Sequence, residues 1–455
     1  LFGVVSAVRP HVPTLRERQC RFGYTVEDLR RMLAPMAQTA REPIGAMGCD
    51  VPPAICSERP QLLFHYFKQL FAQVTNPAID SVREALVMSL MTFIGNAPDI
   101  LEERPGQARL IKLRLPILTH QDLELLRTSR HPDFRARVLP CGFPAQGDGA
   151  ALAGALDTLC RRAVAAVKAG CRILVLSDRR LPVSQWPLPS LLAVAAVNRR
   201  LVQCGLRTPT GLLVESGEPR EVMHLALLLG YGATAVNPFL AFESVAAMAQ
   251  AGELQGIGVV KAIENYIEAL ADGLRKVLSK MGISTLRSYR GAQVFEALGL
   301  SQTLVDEFFT GTASRLGGIG LDGLAGEIAR RHRLAGTDGT LPDEGVYAWR
   351  RDGERHQWNP TAVGLLRRVA QGGDAVAYRA FAAHLEQPAM RHAVLRGLLR
   401  PRPGRPVPLV EVEPADSIVR RFEISGMSLG SISPEAHQAL AIAMRRLGSR
   451  GNCGE

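Results

Sequence analysis

Cys171-Arg-Ile-Leu-Val-Leu-Ser177, Thr210-Gly-Leu-Leu-Val-Glu215 and Ala233-Thr-Ala-Val236 are three apolar runs of strand length. The first follows a helical pattern over Ala155–Ala169 and a helix-ending Gly170. Two further helical patterns, Ser190–Gln203 and Glu218–Leu229, separate the three runs. Strand–helix–strand alternation at this spacing predicts an α/β fold with parallel strands and crossover helices. The runs are uniformly apolar rather than alternating, which predicts a sheet covered on both faces.

Outward from this centre the pattern changes. Leu62, Leu63, Phe67, Leu70, Phe71 and Val74 recur at helical spacing and predict a helix with one core-facing side, stopped by Asn76-Pro77. Asn265–Lys280 predicts a second amphipathic helix, with Ile267, Leu270, Leu274, Val277 and Leu278 on one side and Gly282 as its stop. Gly291–Gly299 and Gln302–Phe309 read as short helices. Pro401–Pro414 holds five Pro and one Gly, so it reads as an extended connector. Neither internal repeats nor low-complexity tracts stand out.

The chain has 455 residues, enough for about three domains or two larger ones. With 47% hydrophobic and 21% charged residues it is a globular rather than a disordered chain. The net charge is +11, and only six of the 54 basic residues are Lys. This Arg excess reads either as coding bias or as a basic surface for anionic ligands or an acidic partner. The Arg residues are dispersed, without an aromatic-studded stripe or zinc-finger spacing, so a nucleic-acid partner is not expected. Every apolar run is interrupted short of membrane-spanning length, so no membrane partner is expected either. Leu1–Arg18 carries no export signal, and a start at Leu suggests a piece of something longer. Cys20, Cys49, Cys56, Cys141, Cys160, Cys171, Cys204 and Cys453 form no C-x-x-C pair and read as reduced thiols of a cytoplasmic protein. Cys49 and Cys56 lack two further ligands nearby, so no metal site is expected.

Chemistry concentrates in the last forty residues. Arg421–Ser428 predicts a strand ending in a small-residue turn, Ser425-Gly426. Leu429–His437 then opens a helix with Ser433 as N-cap, Pro434 in the first helical position and Glu435 in the first turn. That helix runs over Ala436–Leu447 to Gly448. Small residues and free backbone N–H groups at such a junction suit a flat cofactor or a phosphate. The same pattern also serves as plain connection chemistry. Asp178-Arg179-Arg180, after the first apolar run, reads either as a solvated charged loop or as a loop facing an anion.

Six stretches together resemble the large chain of glutamate synthase. They are Glu42–Asp50, Tyr66–Pro77, Gly230–Ala233 with Asn237-Pro238, Ser279–Thr285 with Ser288–Glu296, Gly426–Ser428 through Glu435–His437, and Gly451–Glu455. The resemblance implies a central domain over residues 1–250 and, over 251–400, the N-terminal segment of an FMN-binding domain, whose (β/α)8 barrel would be incomplete here. A Pro-rich connector would span 401–420, and the first barrel strand and helix 421–455. It implies FMN binding by Gly426, Met427, Ser428 and Asn452, and substrate binding by Glu455. It assigns no catalytic residue and no metal ligand within the chain. In the family an FMN and a 3Fe-4S cluster serve reductive transfer of the glutamine amide nitrogen to 2-oxoglutarate, giving two glutamates. Its partners would be the amidotransferase and C-terminal domains of the same subunit and a small NADPH-oxidising subunit or ferredoxin.

Three positions depart from the family pattern: Gly451 stands for its Ser, Cys453 for its Thr, and Asn198 for a usual His. Only one strand and one helix fit after Met427, so the barrel is not expected to close, nor the FMN pocket to be complete, from these residues alone. The cluster cysteines and the amidotransferase nucleophile are expected outside the chain. The edge beside the Phe422–Met427 strand is then expected to stay unpaired. The expected function is therefore part of a glutamate synthase large subunit, inactive alone. The alternative is a non-catalytic scaffold or decayed gene product that keeps the central domain.

Overall fold

Four parallel strands form the centre of the computed structural model, which describes residues 12–43, 50–70, 81–95, 101, 109–129, 131–335 and 340–454. They are β1 (Ala136–Pro140), β2 (Ile173–Ser177), β3 (Gly211–Glu215) and β4 (Ala235–Asn237), side by side in sequence order. Register is continuous: Val138 lies opposite Val175, Val175 opposite Leu213, and Leu213 opposite Ala235. The crossovers are α1 (Gly149–Lys168), α2 (Ser190–Gln203) and α3 (Val222–Gly230). The α/β expectation is met.

The uniformly apolar runs now have a physical explanation. Crossovers of one hand that step in one direction leave all their helices on one face. Leu174, Leu176, Leu212, Val214 and Val236 share a core with buried side chains of those helices. Ile173, Val175, Leu213 and Ala235 belong to a separate cluster with Ile94, Leu113, Leu118, Leu123 and Leu126. The second face is thus covered by the antiparallel pair Thr92–Ile94 and Ile111–Leu113 and by helix His120–Arg127.

Beyond the sheet, α4 (Phe239–Gln250) packs against α5 (Val259–Lys280). α5 buries Leu270, Leu274 and Leu278, with Ala262, Tyr266 and Ala269, and ends at Gly282 in the left-handed region, φ +67°. Gln302–Phe308 is helical as expected.

Two expectations are corrected. Leu62–Leu70 is not one helix. Leu63–Tyr66 is a single 3₁₀ turn, and Phe67–Gln69 is a strand antiparallel to Phe295–Ala297. Five of the residues from Leu62 to Phe67 are buried, which no one-sided helix allows. Phe67 packs edge-on against Phe309, with centroids 4.9 Å apart, so a partner distant in sequence selects the extended form. Phe71, Val74 and Asn76-Pro77 lie outside the described residues. Gly291–Gly299 is likewise not helical. Gly291 and Gln293 sit at positive φ, which breaks a helix, and the following residues pair as a strand.

The chain divides into two units, residues 1–398 and 399–455. In the second, the Pro-rich stretch carries only a 3₁₀ turn at Leu409–Glu411 and is exposed, as a connector should be. β5 (Glu423–Ile424), α6 (Pro434–Arg446) and β6 (Arg450–Gly451) follow. Glu423 pairs with Arg450 and Ile424 with Gly451, in parallel. One edge of β5 therefore has a partner strand within the chain, and among the described residues no strand pairs with its other edge. One strand–helix–strand repeat is present there.

Candidate functional site

The second unit places the turn after β5 beside the turn after β6. Parallel pairing brings the carboxyl ends of the two strands together, where open α/β units gather ligands. A side chain on Gly426 would come within 3.3 Å of the Asn452 amide. Gly454 has φ +68°, and a Cβ there would lie 3.1 Å from the Met427 carbonyl carbon and the Ser428 nitrogen. Asn452 accepts the Gly454 N–H through Oδ1 at 2.9 Å, which leaves its Nδ2 as a donor. The Ser428 carbonyl accepts from Ser431 N at 3.0 Å and Ser431 Oγ at 2.8 Å. Gly426, Met427, Ser428 and Asn452 are thus brought together, and Gly454 joins them. The signal in the sequence is a Gly two residues after Asn452, and the structure shows why Gly is needed there: its φ is positive.

Each local feature has a cause. Ser433 caps α6 by accepting the Ala436 N–H at 3.2 Å, and Pro434 fits the first position. Arg445 and Arg446 occupy the last turn, opposite the helix dipole's negative end. Gly448, φ +67°, stops the helix. One expectation needs revision here. The Glu435 carboxyl is held below its usual range by its own backbone N–H and by the Ser433 hydroxyl. This carboxylate therefore takes part of the helix N-terminus that the sequence offered to an outside anion.

The residues present fit a flat group lying on backbone. The crowded positions are glycines, the turn at Asn452–Gly454 is exposed while Met427 and Ser428 are half-buried, and Asn452 presents a donor. The arrangement can position such a group; among its described residues there is no acid–base pair. Glu455 lies outside the described residues. Cys453 is exposed, with its thiol turned to its neighbour's carbonyl at 3.8 Å. Among the described residues no group of three or more His, Cys, Asp or Glu could hold a metal ion.

The carboxyl ends of β2–β4 carry a different device. Asp178 is neither solvated nor facing an anion: it accepts from Ser216 Oγ at 2.5 Å and Gly217 N at 3.0 Å, and burial raises its pKa well above the usual range. Arg179 bridges Glu243 at 2.9 Å and Glu215 at 3.4 Å. Glu215 also takes Ser177 Oγ at 2.6 Å and Arg127 at 2.7 Å. The place where a ligand could sit is filled by the chain's own ion pairs, so Asp178 and Arg179 are packing elements, while Arg180 is exposed. This network was missed because its members are up to 116 residues apart, from Arg127 to Glu243.

Gly230–Ala233 is a tight helix-to-strand connection, with Ala233 N bonded to Leu228 O at 2.9 Å. Asn198, one of the departures, accepts from Arg207 Nε at 2.6 Å. Both are structural. No helix among the described residues is long and apolar enough to cross a membrane.

Comparison with known proteins gives the family. The family model for the glutamate synthase central domain matches residues 17–301, and a conserved region of glutamate synthase matches residues 356–455. The chain is 43% identical over 97% of its length to the NADPH glutamate synthase large chain of Bacillus subtilis, covering 29% of that protein. It is 42% identical over 95% of its length to the NADH glutamate synthase of Schizosaccharomyces pombe, covering 21%. It is 41% identical over 97% of its length to ferredoxin-dependent glutamate synthase 2 of Synechocystis, covering 30%. The chain thus spans less than a third of the length of these relatives. With the central-domain model matched over well over half of its residues, the chain belongs to the glutamate synthase family.

Proposed function

We propose that this chain supplies the central domain and the opening strand–helix–strand unit of the FMN domain of a glutamate synthase large subunit. The observation that carries the reading is the pair of touching turns, Gly426–Ser428 and Asn452–Gly454, within a region matched to the family. Gly426, Met427, Ser428 and Asn452 would hold FMN, and Glu455 would contact substrate. Bound FMN would supply the hydride for making glutamate from 2-oxoglutarate and the glutamine amide nitrogen. The glycines let the flat group approach the backbone, and the Asn452 amide donates to it. The central domain would line the passage for ammonia, confining it and keeping it from protonation by bulk water. The 3Fe-4S cluster and the amidotransferase nucleophile would come from other segments of the subunit. The 455 residues alone are then inactive and retain no flavin. Relatives named for NADPH, NADH and ferredoxin match almost equally, so the reductant would reach a cytoplasmic enzyme from either a small subunit or ferredoxin.

A chimera tests this. The corresponding segment of the Bacillus subtilis large chain is replaced by these 455 residues. The expected result is a yellow protein that forms glutamate from glutamine and 2-oxoglutarate with its reductant. A folded chimera without flavin would sink the reading. Within an active chimera, Gly454→Val should weaken FMN retention about tenfold, because strain and crowding of about 1–2 kcal/mol fall on the flavin turn. Unchanged retention would remove Gly454 from the site.

A further inference from the structure

Residues 341–358 form a strap without helix or strand, and its anchors are acceptors. The buried carboxylate of Glu27 receives the backbone N–H groups of Val346 at 2.6 Å, Ala348 at 3.2 Å and Tyr347 at 3.3 Å. At the other end Asp50 Oδ2 accepts the Trp358 N–H at 3.0 Å, and the Asp50 carbonyl accepts the Gln357 N–H at 3.1 Å. Between them lies His356, 6% exposed. Its Nδ1 is 2.9 Å from Asp50 Oδ1, and its Nε2 is 2.6 Å from the Gly345 carbonyl oxygen.

Both partners of the ring are acceptors. A carbonyl has no proton to give, and a neutral imidazole has only one N–H. If Nε2 donates to Gly345, a neutral ring turns a bare lone pair on Nδ1 toward a carboxylate oxygen at hydrogen-bond distance. The contact is attractive only when the Asp50–His356 pair holds one more proton. We propose that Asp50 and His356 form a pH-sensitive latch on the 341–358 strap, closed while the shared proton is bound and released when it is lost.

Glu344 and Glu354 lie on the strap; burial pushes the Glu344 carboxyl up to about 7, and Glu354 is buried, bonded to Ser57 Oγ at 2.6 Å. Arg355, also on the strap, is paired with Glu58, and Arg59 is bonded to the Asp352 carbonyl. From the helical side, Asn359 bonds the His356 carbonyl at 3.2 Å and His384 Nε2 at 3.0 Å. The nearby cations are therefore committed elsewhere.

The ordinary value of an imidazole in water is about 6.5. Below that pH both states hold the proton and the latch is at full strength. Above it, closing must take up a proton, so the closing constant falls by up to about tenfold per pH unit. Hydrogen exchange on the full 455-residue chain reads this directly at the amides of Val346–Ala348 and Gln357–Trp358. After correction for intrinsic exchange, protection should fall roughly tenfold or more between pH 6 and pH 8. Asp50→Asn makes a distinctive case: its Nδ2–H can donate to neutral Nδ1 while Oδ1 still accepts from Trp358. That variant should keep the strap protected at pH 8. A flat wild-type profile, or an Asp50→Asn strap that is open at both pH values, would overturn the latch. The ¹⁵N shifts of the His356 ring in the unmodified chain at pH 6 give a readout that needs no variant. Both nitrogens should appear protonated, and a singly protonated ring beside ionised Asp50 would overturn the proposal.

Discussion

Gly232→Ala is expected to destabilise the chain by about 3–5 kcal/mol, a large effect for adding one methyl group. Two costs combine. Gly232 has φ +121°, a backbone conformation that an L-residue rarely adopts. Its new Cβ would also lie 2.3 Å from Asn198 Cγ. Asn198 is not free to move aside, because its Oδ1 holds Arg207 Nε at 2.6 Å. Arg207 in turn donates to the Thr210 carbonyl at 2.5 Å and the Gly232 carbonyl at 2.6 Å, tying α2 to the entry of β3 and the exit of α3. Chemical denaturation of the 455-residue chain measures the loss. Gly256→Ala is the control, at φ +70° but with nothing within 4 Å of the added carbon. It should cost only about 1–2 kcal/mol. Equal losses for the two would show that backbone strain, not the Asn198 contact, decides the site.

Asp28→Ala should cost a similar amount, about 3–5 kcal/mol, through a charge left buried. Arg220 is 3% exposed and Asp28 7% on their side chains, and they pair at 3.1 Å. The guanidinium also donates to the Gly23 carbonyl at 2.7 Å and lies 4.4 Å over the Tyr24 ring. Burial pushes the Tyr24 phenol up, so it stays neutral and cannot replace the lost carboxylate. Asp28 does a second job, accepting the Thr25 N–H at 2.9 Å while its own N–H reaches Thr25 Oγ at 3.0 Å. Removing Asp28 therefore strips a cation of its partner and a helix start of its cap. The double variant Asp28→Ala with Arg220→Met should recover part of the loss, because no unpaired charge remains. Simple additivity in the thermodynamic cycle would refute the pairing argument.

The legible parts of the fold were those governed by nearest neighbours along the chain. Strands β2 to β4 and their crossovers were readable because both faces of the sheet are covered and every strand position is apolar. α6 was readable because Ser433, Pro434 and Gly448 act on the backbone next to them. The stretch from Leu62 to Leu70 was misread because six apolar residues satisfy a helical spacing and an extended one about equally well. Phe295–Ala297 and Phe309 decide between the two, and they lie more than 200 residues away. The candidate site shows the same division. Gly426–Ser428 and Asn452 stood out for their residue types and their resemblance. That Gly454 packs on Met427 depends on the parallel pairing of β5 with β6.

Residue order alone determined the alternation of strands and helices, the helix caps and the family of this protein. These follow from backbone preferences and side-chain polarity acting over a few positions. Only the tertiary structure decided that the crevice above β2–β4 is closed by Arg179, Glu215 and Glu243, and that His356 meets Asp50 across 306 positions. Charges pair by distance in space, and the path of the chain sets that distance only once the core has formed.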